Sequence, residues 1–164
     1  MQHLRISIKA AVIGGMLALT FLGSLDLTAQ GSNPELGTWK NDVAKSKYSP
    51  GPPPKSQTAK YEVWQDGFKL TIDAVDAKGQ TTRSEVIFKY DGKEYPVPGA
   101  AQPTTITFKR IDDHTTEQVD RVNGKVTVTR RRTISRDGKT ATMTMTGTSA
   151  QGQTVNTTII STKQ

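Results

Sequence analysis

The sequence predicts an all-β protein, an antiparallel up-and-down meander closing into a barrel of about eight to ten strands. Three observations predict it. Turn signals of the Asp-Gly and Asn-Gly type recur at Asp66-Gly67, Asp91-Gly92, Asn123-Gly124 and Asp137-Gly138, with Gly79 and Gly152 continuing the rhythm and Asp112-Asp113 filling its longest gap. Such pairs suit hairpin turns, because both residues tolerate positive φ and the Asn or Asp side chain bonds its own backbone. Between the turns, β-branched and aromatic residues alternate with polar ones, the period-2 pattern of strands buried on one face. From residue 30 onward, no segment carries a convincing 3.6-residue period; "NDVAKSK" offers one helical turn at most.

The elements follow in order. The first strand falls near 36–41, around "GTWK", and the next near 57–65. "FKLTIDA" makes a strand over 68–76, setting Phe68, Leu70, Ile72 and Ala74 on one face. "TRSEVIFKY" makes one over 80–90, with Val86, Phe88 and Tyr90 on a face. Shorter runs give strands near 93–97, 104–112 and 115–122. "KVTVTRRRTIS" covers 125–135 and places Val126, Val128, Arg130, Arg132 and Ile134 on one face. "TATMTMT" and "TVNTTI" supply the last two, near 139–147 and 153–162, with outward threonines that form strands well without burial. Sequential hairpins of this number curl and close, because closure removes unpaired edges; a β-sandwich is the competing architecture. Residues 41–57, "NDVAKSKYSPGPPPKSQ", interrupt the pattern and predict a proline-rich loop, since proline lacks the ladder donor.

The start of the chain belongs to a different class. Arg5 and Lys9 precede a 16-residue uncharged run, Ala10–Leu25, with Ala29 shortly after. That order predicts a secretory signal peptide over 1–29. The run is shorter than the roughly 20 residues a spanning helix needs, so membrane contact is expected only before cleavage. The chain has no cysteine, which excludes a lipid-modified N-terminus and disulfides. An exported protein is expected, periplasmic or extracellular, with residues 30–164 forming one barrel domain that relies on core packing.

Charge and composition narrow the function. The full chain has a net charge of +7, and residues 30–164 keep 20 basic and 14 acidic residues, a net charge of +6. The basic residues are scattered apart from Arg130-Arg131-Arg132, without the stripe and stacking aromatics that nucleic-acid binding requires. His114 is the one histidine after residue 29 and sits in "IDDHTTE", which reads as a turn. Cysteine catalysis and metal sites with two His or Cys ligands are excluded, no cofactor is implied, and the expectation is a protein that is not an enzyme. An inward arginine must be paired, so Arg130 and Arg132 meet a carboxylate ligand, an internal acid or the face of Trp39; otherwise a bulge near Arg131 turns them out or they lie at the barrel rim.

Gly37-Thr38-Trp39-Lys40 on the first strand of such a chain resembles the calycin superfamily of lipocalins and fatty-acid-binding proteins. The resemblance implies that Gly37 and Trp39 form the plug of the closed end, with Arg130, Arg131 or Arg132 packed across the tryptophan. It implies a lipocalin-like role, the binding of a small apolar or amphipathic ligand. The chain is also similar to small exported bacterial proteins of uncharacterised function. The candidate lining residues are Tyr61, Phe88, Tyr90, Phe108, Arg130, Arg132, Met143 and Met145. The competing function is a protein–protein interaction module using the proline-rich loop or the outer sheet face.

Overall fold

The computed structural model describes residues 33–164, so the expected signal peptide lies outside the described residues. Ten strands run in chain order: β1 (Gly37–Lys47), β2 (Ser56–Trp64), β3 (Gly67–Val75), β4 (Thr81–Phe88), β5 (Asp91–Pro96), β6 (Thr104–Arg110), β7 (Thr115–Val122), β8 (Lys125–Ile134), β9 (Thr140–Thr148) and β10 (Thr154–Lys163). They form one antiparallel sheet in the order β4-β3-β2-β1-β10-β9-β8-β7-β6-β5. Every consecutive pair is a hairpin except β4 and β5, and β1 joins β10, so the meander nearly closes into a barrel. β4 and β5 are the two edges of the sheet, and Lys89-Tyr90 links them.

Two local features differ from the sequence reading, and both are bulges. β1 continues to Lys47, so the proline-rich connection is 48–55 and not 41–57. β1 leaves β2 after Lys40 but stays on β10, with its register shifted between Asp42 and Lys47. Within that shift Lys45 N donates to Asp42 Oδ1 at 3.1 Å and Ile160 N donates to Ser46 Oγ at 3.0 Å, which satisfies backbone groups the ladder leaves free. In β8, the β7–β8 register shifts at Thr127, next to the Asn123-Gly124 turn. The extra residue turns Val126 outward, 57% exposed, while Val128, Arg132 and Ile134 stay buried.

One end of the barrel is closed by side chains. Trp39 and Phe88 are fully buried there, with Tyr61, Leu70, Val86, Phe108, Ile134 and Ala141 around them. Phe88 stacks on Phe108 at 3.7 Å between ring centroids, and Tyr90 meets Phe88 edge-on at 5.3 Å. Stacked and edge-to-face rings of this kind add about 0.5–1.5 kcal/mol per pair beyond the area they bury. The opposite end is surrounded by the 48–55 connection and by the turns after β3 and β9.

Candidate functional site: the barrel cavity

A cavity of about 830 Å³ occupies the barrel above the closed end, within the range typical of small-molecule sites. Alternation on each strand decides what faces it. β2, β3 and β4 contribute Ala59, Tyr61, Leu70, Ile72 and Val86; β9 and β10 contribute Met143, Met145, Val155 and Ile159. β7 and β8 contribute Gln118, Asp120, Arg130 and Arg132. Apolar side chains therefore make up much of the wall, with polar ones at Asn41, Gln57, Ser84 and Thr157, and the charged residues within the barrel lie together on the β7–β8 hairpin, called the polar wall below.

The polar wall has two layers. In the deeper one, the Arg132 guanidinium lies over the Trp39 ring at 4.6 Å and over the Tyr61 ring at 5.2 Å. Of the three arginines, Arg132 is the one that packs across the tryptophan. Its Nε is 3.5 Å from Glu35 Oε1, and both side chains are buried. Glu35 is held in turn by the Thr116 hydroxyl, which donates to Oε1 at 3.2 Å, and by the Tyr90 hydroxyl, which donates to Oε2. Trp39 Nε1 donates to the Glu35 carbonyl oxygen at 2.8 Å, so the plug tryptophan satisfies its own polar group. In the shallower layer Arg130 pairs with Asp120 Oδ2, and Gln118 Nε2 donates to Asp120 Oδ1 at 2.7 Å. The inward arginines thus meet internal acids, which is what a buried charge requires.

Two phenols respond to this environment. Burial pushes the Tyr61 hydroxyl up to about 12, with Glu35 adding to the rise and Arg132 and Arg130 opposing it. Tyr90 is driven up further, first by burial and then by the charge of Glu35 and the bond to it. Both are neutral donors at physiological pH.

The mouth is crossed by the proline-rich connection. Tyr48, Ser49, Pro50, Pro52 and Pro54 border the cavity. The Thr157 side chain clamps the connection on both sides: Ser49 N donates to Thr157 Oγ1 at 3.0 Å, and Thr157 Oγ1 donates to the Ser49 carbonyl oxygen at 2.9 Å. Asn156 N donates to the same carbonyl at 2.9 Å.

Of the lining residues expected from sequence, Tyr61, Arg130, Arg132, Met143 and Met145 border the cavity. Phe88, Tyr90 and Phe108 lie instead in the closed-end cluster, where they pack on one another. Phe88 and Phe108 face inward on β4 and β6 as expected, whereas Tyr90 lies in the β4–β5 link and not on the strand expected over 80–90; all three belong to the closed end and do not border the open space. Glu35, Asn41, Gln118 and Asp120 escaped the sequence reading. Asn41, Gln118 and Asp120 are polar residues on inward strand faces and Glu35 lies in the turn before β1, so apolar alternation marks none of them; the signal available was the need of Arg130 and Arg132 for acids. His114 sits in the turn between β6 and β7, its backbone N donating to Asp112 Oδ1 at 2.8 Å. Among the described residues no group of three or more His, Cys, Asp or Glu is arranged to hold a metal ion.

Compared with known proteins, the chain matches no family model and no curated sequence. Its fold, an antiparallel barrel nearly closed on itself, is consistent with a calycin-type barrel in general.

Proposed function

We propose that the chain is an exported, non-enzymatic binding protein whose barrel takes up a small apolar or amphipathic molecule. One observation carries the reading: an 830 Å³ cavity whose largely apolar walls face one charged hairpin. A barrel of this size can fill with its own side chains, so retained space is a property of these residues and not of the fold. Ala59 and Ala141 stand at inward positions where larger residues would pack, and Met143 and Met145 adapt to varied shapes. The apolar part of a ligand is buried against Leu70, Ile72, Val155 and Ile159, and its polar end lies toward Tyr61 and the Arg130–Arg132 wall.

Two measurements test this. Native mass spectrometry after mild extraction is expected to show a bound small molecule, and a fluorescent lipid probe is expected to bind the emptied protein. Met143→Trp, which places bulk inside the cavity, is expected to weaken the probe about tenfold or more with an unchanged circular dichroism spectrum. A protein that retains nothing and binds no probe overturns the reading. Export is checked separately, by the N-terminus of protein recovered outside the cytoplasm, expected to begin after Ala29.

A further inference from the structure

Around the cavity the inward carboxylates are engaged, while several buried donors are left over. Asp120 receives Gln118 on one oxygen and Arg130 on the other. Glu35 receives Thr116 and Tyr90, with Arg132 beside Oε1. By contrast Arg132 Nη2, Asn41 Nδ2 and the Tyr48 hydroxyl, all on residues bordering the cavity, are buried without a hydrogen-bond partner among the described residues. Arg132 is 5% exposed and Asn41 9%. Arg132 is decisive, because a guanidinium offers only donors in any orientation. A buried donor without an acceptor costs about 1–3 kcal/mol, so a molecule whose acceptor oxygen draws the Arg132 guanidinium toward the space recovers that cost.

The charges settle which acceptor. Arg130 and Arg132 are paired with Asp120 and Glu35, and at the mouth one further cation, Lys78, and one further anion, Asp76, border the space. Counted with Glu35, which pairs with Arg132 but does not itself border the space, these charges sum to zero. A carboxylate brought to Arg132 stands beside Glu35 on the same guanidinium, repels it, and adds an unpaired charge to a desolvated site. A neutral oxygen takes the free donor at no such cost.

We infer that the cavity selects a neutral amphiphile, an apolar chain ending in a ketone, ester or similar acceptor oxygen, over the corresponding carboxylic acid. The inference rests on the reading of the barrel as a ligand-binding protein. The test displaces a bound fluorescent lipid probe from the protein with a methyl ketone, a methyl ester and a carboxylic acid of equal chain length at neutral pH. The ketone and ester are expected to displace it at concentrations about tenfold or more below that of the acid. An acid that competes as well as the ketone or better overturns the inference and leaves the binding reading intact; a protein that binds neither probe nor competitor overturns both. Glu35→Gln uncovers the Arg132 charge and is expected to shift preference toward the acid. Asp120→Asn, at a more exposed pair, reads out the same reversal at Arg130 should Glu35→Gln fail to fold. A folded variant with unchanged preference also overturns the inference.

Discussion

Tyr61 shows what the barrel interior does to a single residue. Its ring is packed under Arg132, and its hydroxyl is held neutral by burial, with an ionisation near 12 against an ordinary 10.0. The unfolded chain loses this proton near pH 10 and the folded one near 12, so between those values the folded state binds more protons. The stabilising contribution is therefore complete below pH 10 and is lost as pH rises toward 12. Its size is at most about 2–3 kcal/mol. Melting temperatures across this range are expected to fall more steeply for the wild type than for Tyr61→Phe; parallel curves would show that Tyr61 is not the titrating group. Alternation around Ile134 allowed an inward Arg132 beside a rim or bulged placement, and the motif offered Arg130, Arg131 or Arg132 as the partner of Trp39; the structure selects Arg132. Depth was not legible. Period 2 says which face a side chain takes, not how far along the barrel axis it lies, and this is why Phe88 and Phe108 close the end instead of lining the space.

At the scale of the element, the turn chemistry was plain and the bulges were not. Asn123-Gly124 forms its hairpin with φ of 51° and 75°, the two positive values that an Asn-Gly turn of this kind takes. The bulge beside it, at Thr127, has no residue-type signature, and it reverses only Val126. It leaves a second trace on the neighbouring strand. Gly147 in β9 has φ of 144°, and a Cβ there would lie 2.0 Å from the Thr127 carbonyl oxygen. Gly124, at φ of 75°, has open space around it. Gly124→Ala is thus expected to cost about 1–2 kcal/mol of backbone strain alone. Gly147→Ala adds a backbone collision and is expected to cost roughly 3 kcal/mol or more. Chemical denaturation of the two variants compares them. Equal losses would mean that the close approach of β8 to β9 contributes nothing beyond φ, and the bulge would lose its role in fixing that glycine. In the sequence "TMTGTS", Gly147 reads only as the end of the strand near 139–147, and nothing there marks the need for glycine, because the atom that forbids a side chain belongs to another strand.

For the molecule as a whole, the order of strands was readable because each hairpin is local, whereas the way the sheet closes is not a local property. β1 and β10, the ends of the meander, sit at the centre of the sheet, and the edges fall between β4 and β5 in mid-chain. Across that break the link is made by side chains, chiefly the Phe88–Phe108 stack, and not by a backbone ladder. The edges are short or charged: β5 is six residues long with Lys93, Glu94 and Pro96, and β4 carries Arg83 and Glu85 outward. Such features discourage pairing with another chain. They also make this the weak side of the barrel. β5 has one partner strand, a register shift between Asp91 and Glu94, and no buried residue. Local opening follows low burial and few backbone bonds, so amide exchange is expected to be fastest in β5 and in the exposed first half of β4, and slowest in β1, β2 and β10. Phe108→Ala removes the stack that spans the break. It is expected to cost about 3–5 kcal/mol overall. Under native conditions it is also expected to accelerate exchange in β4 and β5 before β10 responds. A uniform rise across all ten strands would instead mean that the barrel opens only as a unit, and that the side-chain closure at the break gives the β4–β5 side no separate motion.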